Sequence, residues 1–186
     1  MLTIYLSVIE TAENQSLFET IYYTYRKQMY SVAYGILKDK GLAEDAVQEA
    51  FLRTAKQIAL FREMPEDRLS AYVLIAAKNA ALNIYNKEQK YSRNIISIED
   101  VPPLFIEDNA FTQQINNERQ RTLVAIITEL PSFQRSILTL RYAHDMKCSE
   151  IAIALGRKSS TVRKELSRVR RVLAEKCRKA GLESEN

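Results

Sequence analysis

Of the 23 side chains in residues 157–179, ten are Lys or Arg and two are acidic, a local balance of +8. A solvated surface helix mixes its signs, so a stretch this one-sided points to a polyanionic partner, and phosphates are the obvious anions. The charges are ordered. Val162, Leu166, Val169 and Leu173 recur at helical spacing and share one face. Lys158, Ser160, Arg163, Lys164 and Ser167 are left outside, and Arg168, Arg170 and Arg171 continue the basic surface. Just before them, CSEIAIAL predicts a short helix with Ile151, Ala152 and Leu155 inward and Glu150 outward in its first turn. Gly156 supplies the turn, and Ser159 or Ser160 is the expected cap of the basic helix. Two short helices about a glycine, the second one basic, are the outline of a helix-turn-helix, a shape that fits the DNA major groove. In that docking Arg163, Lys164 and Ser167 are placed for base edges, and Arg157, Lys158, Arg168 and Arg171 for phosphates. Glu165 has two readings, acceptor from a cytosine amine or partner of Arg168 or Arg163, and pairing is favoured.

Catalytic chemistry finds little material. Cys148 and Cys177 lie 29 residues apart and His144 is the single histidine, so the chain lacks the closely spaced pairs that hold zinc. There is no carboxylate cluster and no nucleophile set beside a base. Neither a cofactor nor a metal is expected, and the protein is not expected to be an enzyme. The N-terminal MLTIYLSVIETAENQ is no signal peptide, and no run approaches the ~20 apolar residues needed to cross a bilayer. Membrane insertion is not expected, and a cytoplasmic location is.

Elements that could position the basic helix follow from periodicity. Four Gly and four Pro in 186 residues are few for a turn-rich β fold. The expected fold is all-α: two small helical domains joined by an acidic linker, the C-terminal one a helix-turn-helix. Residues 1–91 balance at zero charge, residues 92–112 carry −3 and residues 113–186 carry +7. Residues 3–9 are open between a helical turn and a strand. A helix is predicted over 15–37, with a turn through Lys38, Asp39, Lys40 and Gly41 in which Gly41 takes the positive backbone angle. A second helix, 42–60, buries Ala43, Val47, Ala50, Phe51 and Ile58, with Thr54 bonding back to a carbonyl one turn earlier. Its other face carries Asp45, Gln48, Glu49, Leu52, Arg53 and Lys56, where Leu52 is either a lone exposed leucine or a contact anchor. After a polar loop, 61–68, a third helix over 69–90 buries Leu69, Val73, Ala76, Ala80 and Ile84 and turns Lys78, Asn79, Leu82, Asn86 and Lys90 outward. Pro102 and Pro103 bar a helix in the linker. Beyond it, a helix from 113 to 130 uses Ile115, Leu123, Ile126 and Ile127. The next opens at Pro131, with Phe133, Ile137, Leu138 and Tyr142 inward.

Three stretches in register carry a resemblance: LAEDAVQEAFLR (42–53), AYVLIAAKNAALNIYNKEQ (71–89), and LPSFQRSILTLRY (130–142) leading into SEIAIALGRKSSTVRKELSRVRRVL (149–173). Together they resemble the extracytoplasmic-function sigma factors, the short two-domain class of bacterial sigma factors, over nearly the whole chain. The resemblance implies a first domain over 1–91 (region 2), a linker over 92–112 running toward the RNA exit path, and a second domain over 113–186 (region 4). Asp45, Gln48, Glu49 and Leu52 would grip the clamp helices of the largest subunit of core RNA polymerase, and the second domain its flap. Phe61 and Arg62, in a loop that captures a flipped base, would read the −10 element with Tyr72, Lys78, Asn79, Asn83 and Lys87. Lys158, Ser160, Arg163, Lys164, Ser167, Arg168 and Arg171 would read the −35 element. The implied function is promoter-specific initiation, with core polymerase and promoter DNA as partners and an anti-sigma protein as a plausible third. The competing reading is a helix-turn-helix regulator that never serves as a polymerase subunit. The chain departs from the family pattern in places: Tyr72 stands where Trp is common, Asn83 where Asp is, Asn86 where Arg is, Lys158 at the usual serine cap, and Glu165 where a basic residue is frequent.

Overall fold

A computed structural model describes residues 2–91 and 118–182, and within them every regular element is helical. The expected linker (92–112) and the start of the helix expected from 113 lie outside the described residues. The undecided N-terminal segment is a short helix, α1 (Leu2–Leu6). Thr11 caps α2 (Ala12–Leu37) by accepting from the Asn14 N–H at 3.3 Å. Lys38, not Gly41, takes the left-handed turn, with φ 54° and its N–H on the Tyr34 carbonyl. Asp39 explains the difference. Its carboxylate accepts from the Leu42 N–H at 2.8 Å and starts α3 (Lys40–Lys56) one residue ahead of the glycine, which leaves Gly41 inside the helix.

The first core forms where α1, α2 and α3 meet. Tyr5, Phe18, Tyr22 and Phe51 pack ring on ring, with centroids 5.0 Å apart for Tyr22 and Phe51 and 5.9 Å for Phe18 and Phe51. Such tilted and edge-on contacts suit the ring quadrupoles. Burial raises the Tyr5 phenol to about 12. Thr54 is fully buried and bonds back to the Ala50 carbonyl at 3.0 Å, as its place on the apolar stripe requires. A 3-10 turn (Ile58–Phe61) ends the hairpin, and α4 (Glu66–Tyr91) crosses both α2 and α3.

The C-terminal domain is built from α5 (Glu118–Thr128), α6 (Ser132–Leu138), a π turn (Thr139–Ala143), α7 (Cys148–Leu155) and α8 (Ser159–Lys179). Arg135 closes the end of α5 by donating to the Thr128 and Leu130 carbonyls. Two expectations fail here. Leu123 is 39% exposed, while Ile126 alone on α5 is fully turned inward. Tyr142 is 53% exposed, and Leu140 is buried in its stead. Leu140 stands three residues after Ile137, a helical step that shares its face, and Tyr142 is left to the surface. Among the described residues, no helix is long and apolar enough to cross a membrane.

Candidate nucleic-acid interface

The helix-turn-helix has the expected bounds and turn: α7 ends at Gly156, whose φ of 60° lies in the left-handed region. Ile151, Ala152 and Leu155 are buried, and Val162, Leu166 and Val169 from α8 meet them, with Leu173 half-buried. The cap differs from expectation. Lys158 occupies the N-cap position of α8 without a side-chain bond, and neither serine caps the helix. The backbone closes the first turn instead, through the Thr161 N–H on the Lys158 carbonyl at 2.9 Å. Glu150 does not point away into solvent. It accepts from the Lys147 N–H at 2.7 Å, sealing the start of α7, and is mostly covered.

On the outside of α8, Lys158, Ser160, Arg163, Lys164, Ser167, Arg168, Arg170 and Arg171 are all exposed. Lys164, Glu165, Ser167, Arg168 and Arg171 line a shallow depression of about 490 Å³. Glu165 lies 3.9 Å from Arg168 and accepts from Gln134 at 3.4 Å, so the pairing reading describes it. Arg170 donates to the Tyr142 hydroxyl at 2.6 Å and stacks over that ring, which gives the outward Tyr142 a task. Lys176 reaches Glu129, just past α5, at 2.5 Å and fixes the far end of α8. A rigid helix with a continuous cationic face and a sealed apolar face can hold several phosphates while offering side chains to a groove.

On α3, Asp45 is exposed and Gln48, Glu49 and Leu52 are half-buried along one side. Glu49 is ion-paired with Arg53. Beside this row lies a cleft of about 650 Å³ walled by Tyr22, Tyr23, Arg26, Lys27, Tyr30 and Gln48. The cleft was not foreseen, although Tyr23, Lys27 and Tyr30 stand at four- and three-residue steps on α2.

The expected −10 residues are only partly brought together. Phe61 is buried and packs edge-on against Tyr72, with ring centroids 4.7 Å apart. Tyr72 is buried as well, which holds its phenol well above the usual range. Arg62 is exposed, donates through Nε to Asn14 at 2.8 Å and lies 4.0 Å from Glu13. Lys87 is exposed and Asn83 half-buried. The outward face expected of α4 is not outward. Lys78 is 3% and Asn79 5% exposed, Leu82 is buried beside them, and the Asn79 amide donates to the Ile75 carbonyl at 2.8 Å. The reason is tertiary: α7 lies on α4 in addition to α2 and α3, so the helix is packed from more than one side. Arg53, Arg68 and His144 meet the other domain, a role that sequence reasoning did not give them. Each is a polar residue on a helix or loop, with no local sign of what it faces.

Among the described residues, no group of His, Cys, Asp or Glu is clustered to hold a metal ion. Among the described residues every regular element is helical, and an exposed basic helix lies over a helix-turn-helix core, the architecture of the DNA-binding class of transcription proteins. Family models are more specific. Residues 21–91 match Sigma-70 region 2 and residues 120–173 match Sigma-70 region 4. The chain is 24% identical to the ECF RNA polymerase sigma factor SigX of Bacillus subtilis (strain 168), over 84% of its own length and 81% of the relative's. It is 27% identical to the ECF RNA polymerase sigma factor SigM of the same organism, over 83% and 91%. A solved structure of the sigma factor RpoE in complex with the anti-sigma factor NepR from Bartonella quintana aligns with a TM-score of 0.40 at 17% identity, covering 87% of this chain and 96% of that one. The chain belongs to the ECF RNA polymerase sigma factor family, and it is not an enzyme.

Proposed function

We propose that this sigma factor binds core RNA polymerase, places two DNA-reading domains on one promoter and stabilises the melted −10 strand, while the polymerase performs the nucleotidyl transfer. The observation that carries the reading is the exposed cationic face of α8 in a chain that matches both sigma regions. In this reading Asp45, Gln48, Glu49 and Leu52 on α3 engage the clamp helices, and the second domain engages the flap. Arg163, Lys164 and Ser167 meet −35 base edges, with Lys158, Ser160, Arg168 and Arg171 on the flanking backbone. Arg62, Asn83 and Lys87 approach the −10 strand from the surface. Phe61, Tyr72, Lys78 and Asn79 join them once α4 is uncovered. Flipping a base costs a few kcal/mol, offset by stacking and pocket contacts. We take residues 1–91 and 113–186 as the two functional domains, the cytoplasm as the compartment, and an anti-sigma protein as a further partner.

The test is reconstitution. Purified chain is added to sigma-free core polymerase and promoter-specific transcription is measured on duplex and pre-melted templates. Initiation that depends on the chain is expected. A chain that binds promoter DNA yet neither binds core nor supports initiation would instead be a conventional helix-turn-helix regulator.

A further inference from the structure

The aromatic side chains of α2 fall into two groups. Phe18, Tyr22 and Tyr25 are buried in the first core, whereas Tyr23 is 69% exposed and Tyr30 half-buried. Tyr23 and Tyr30 both face the cleft of about 650 Å³ between α2 and α3. Small-ligand sites occupy roughly 300–1,000 Å³, so the cleft has the size of one. Its rings are held in place. Tyr23 meets Tyr22 edge-on, with centroids 5.5 Å apart and planes at 82°. Tyr30 stacks on Tyr34, with centroids 6.0 Å apart and planes at 13°. Tyr23 and Tyr30 stand two turns apart on one helix face, about 10 Å along the axis, enough to span a base and its sugar.

The cations stand between these two rings. Arg26 donates to the Tyr22 hydroxyl at 3.4 Å, and its guanidinium carbon lies 5.7 Å from that ring's centroid. A buried tyrosine thus holds an exposed charge at the cleft. Lys27, the next residue, is exposed beside it. Across the cleft, α3 contributes Glu44 and Gln48. The two helices fold back on each other through the turn at Lys38. Tyr30 and Gln48 each lie about two helical turns from that bend. The polar edge formed by Glu44 and Gln48 is therefore level with Tyr30, and Arg26 and Lys27 stand about one turn further from the bend.

We propose that this cleft binds a guanine nucleotide, with the base on Tyr30, its edge toward Glu44 and Gln48, and the phosphates on Arg26 and Lys27. Open tyrosine faces accept a flat π-system. Two adjacent cations call for an anionic group, and a guanidinium matches phosphate oxygens in pairs. Glu44 selects the base. Guanine presents its ring N–H and its exocyclic amine side by side, and one carboxylate accepts from both. Adenine sets a ring-nitrogen acceptor beside its amine, which faces the carboxylate lone pairs unfavourably. Gln48 can both donate and accept, so it serves the guanine carbonyl. Gln48 also belongs to the row proposed for the clamp helices. Nucleotide and core polymerase therefore contend for one side of α3, each lowering the other's affinity by the same factor. That consequence rests on the sigma-factor reading, whereas binding in the cleft does not.

The experiment is calorimetric titration of the full chain with GTP, ATP and guanosine. GTP should bind more tightly than either by on the order of tenfold, the scale of one hydrogen bond to a charged group. Lys27→Ala should weaken GTP by a similar factor, and Glu44→Gln should erase the preference over ATP. Both side chains are exposed, so the unfolding midpoint should not move. Saturating GTP should also lower the affinity of the wild type for core polymerase, but not that of Lys27→Ala, which controls for GTP taken up by the polymerase itself. Equal affinities for GTP and ATP, or GTP binding that both substitutions leave unchanged, overturn the assignment. So does a single-stranded oligonucleotide that binds through the same residues more tightly than GTP, which would make the cleft a strand-binding face. GTP binding that leaves core affinity unchanged keeps the site and removes Gln48 from the clamp contact. A chain that supports initiation but takes up no GTP sinks the site and leaves the sigma reading intact.

Discussion

Arg163 and Lys164 are exposed side by side near the start of α8, while Val162 on the same turn is fully buried. Replacing them therefore changes the DNA-facing surface without touching the core. The Arg163→Ala, Lys164→Ala double variant should keep its unfolding midpoint and bind the −35 duplex more weakly. Where a side chain meets a phosphate, the slope of log affinity against log salt should also shrink by about 0.9 for each phosphate no longer neutralised. Titrations of duplex DNA at several salt concentrations separate the two roles: removing a base-edge partner costs affinity and sequence preference at an unchanged slope. Unchanged affinity and slope would mean that the reading face lies elsewhere on the helix. These residues were legible in the sequence, because a helix of period 3.6 assigns faces from spacing alone. Lys78 and Asn79 had the same kind of spacing, and the same reasoning placed them outside. They are buried because another element covers their face, and spacing carries no information about that.

The stretch from α6 into the π turn shows how one spacing can offer two inward candidates. Leu140 stands three residues after Ile137 and Tyr142 four after Leu138, and both steps share a helical face. Leu140 takes the core and Tyr142 is left to Arg170. Substitutions can distinguish the two positions. Leu140→Ala should destabilise the chain by about 2–5 kcal/mol, as truncation of a buried leucine does, whereas Tyr142→Ala should cost about 1 kcal/mol or less. Urea unfolding followed by circular dichroism measures both, and a reversed order would mean that Tyr142 and not Leu140 fills the core. The capping elements divide in the same way. Thr54 was foreseen because its bond is local, and Asp39 displaced Gly41 as the turn signal because a carboxylate three residues before an N–H starts a helix wherever the geometry allows. The cap expected from Ser159 or Ser160 yields to backbone N–H groups donating to the Lys158 carbonyl, since the lysine side chain has no acceptor to offer.

At the level of the whole molecule, the packing of the second domain on α4, its closed form, should respond to pH through His144. The imidazole is packed between domains, so burial lowers its pKa from the ordinary 6.5, Asp67 opposes that shift, and Arg68 adds to it. The closed form thus prefers neutral His144, and an opened chain regains the ordinary value. Above that value both forms are neutral and closure is unaffected. As pH falls through it, the open form takes up the proton more readily, and closure weakens. The mean radius of gyration should therefore rise between about pH 7 and pH 5.5, and His144→Asn should flatten that dependence. A radius that falls on acidification would mean that the Asp67 pairing outweighs burial. The fold class and the basic and apolar faces of α8 were open to reading from the chain by itself, because hydrophobic period, turn chemistry and charge act within a few residues. The domain contact was not. It joins Arg68 to Asp145, 77 residues further on, and Asn83 to Arg157, 74 residues further on, and each of these looks like an ordinary surface residue until its partner is in place. Local sequence determined which helices form and which side of each is apolar. Only the tertiary structure decided which polar faces are covered, because burial belongs to a pair of surfaces and not to either one.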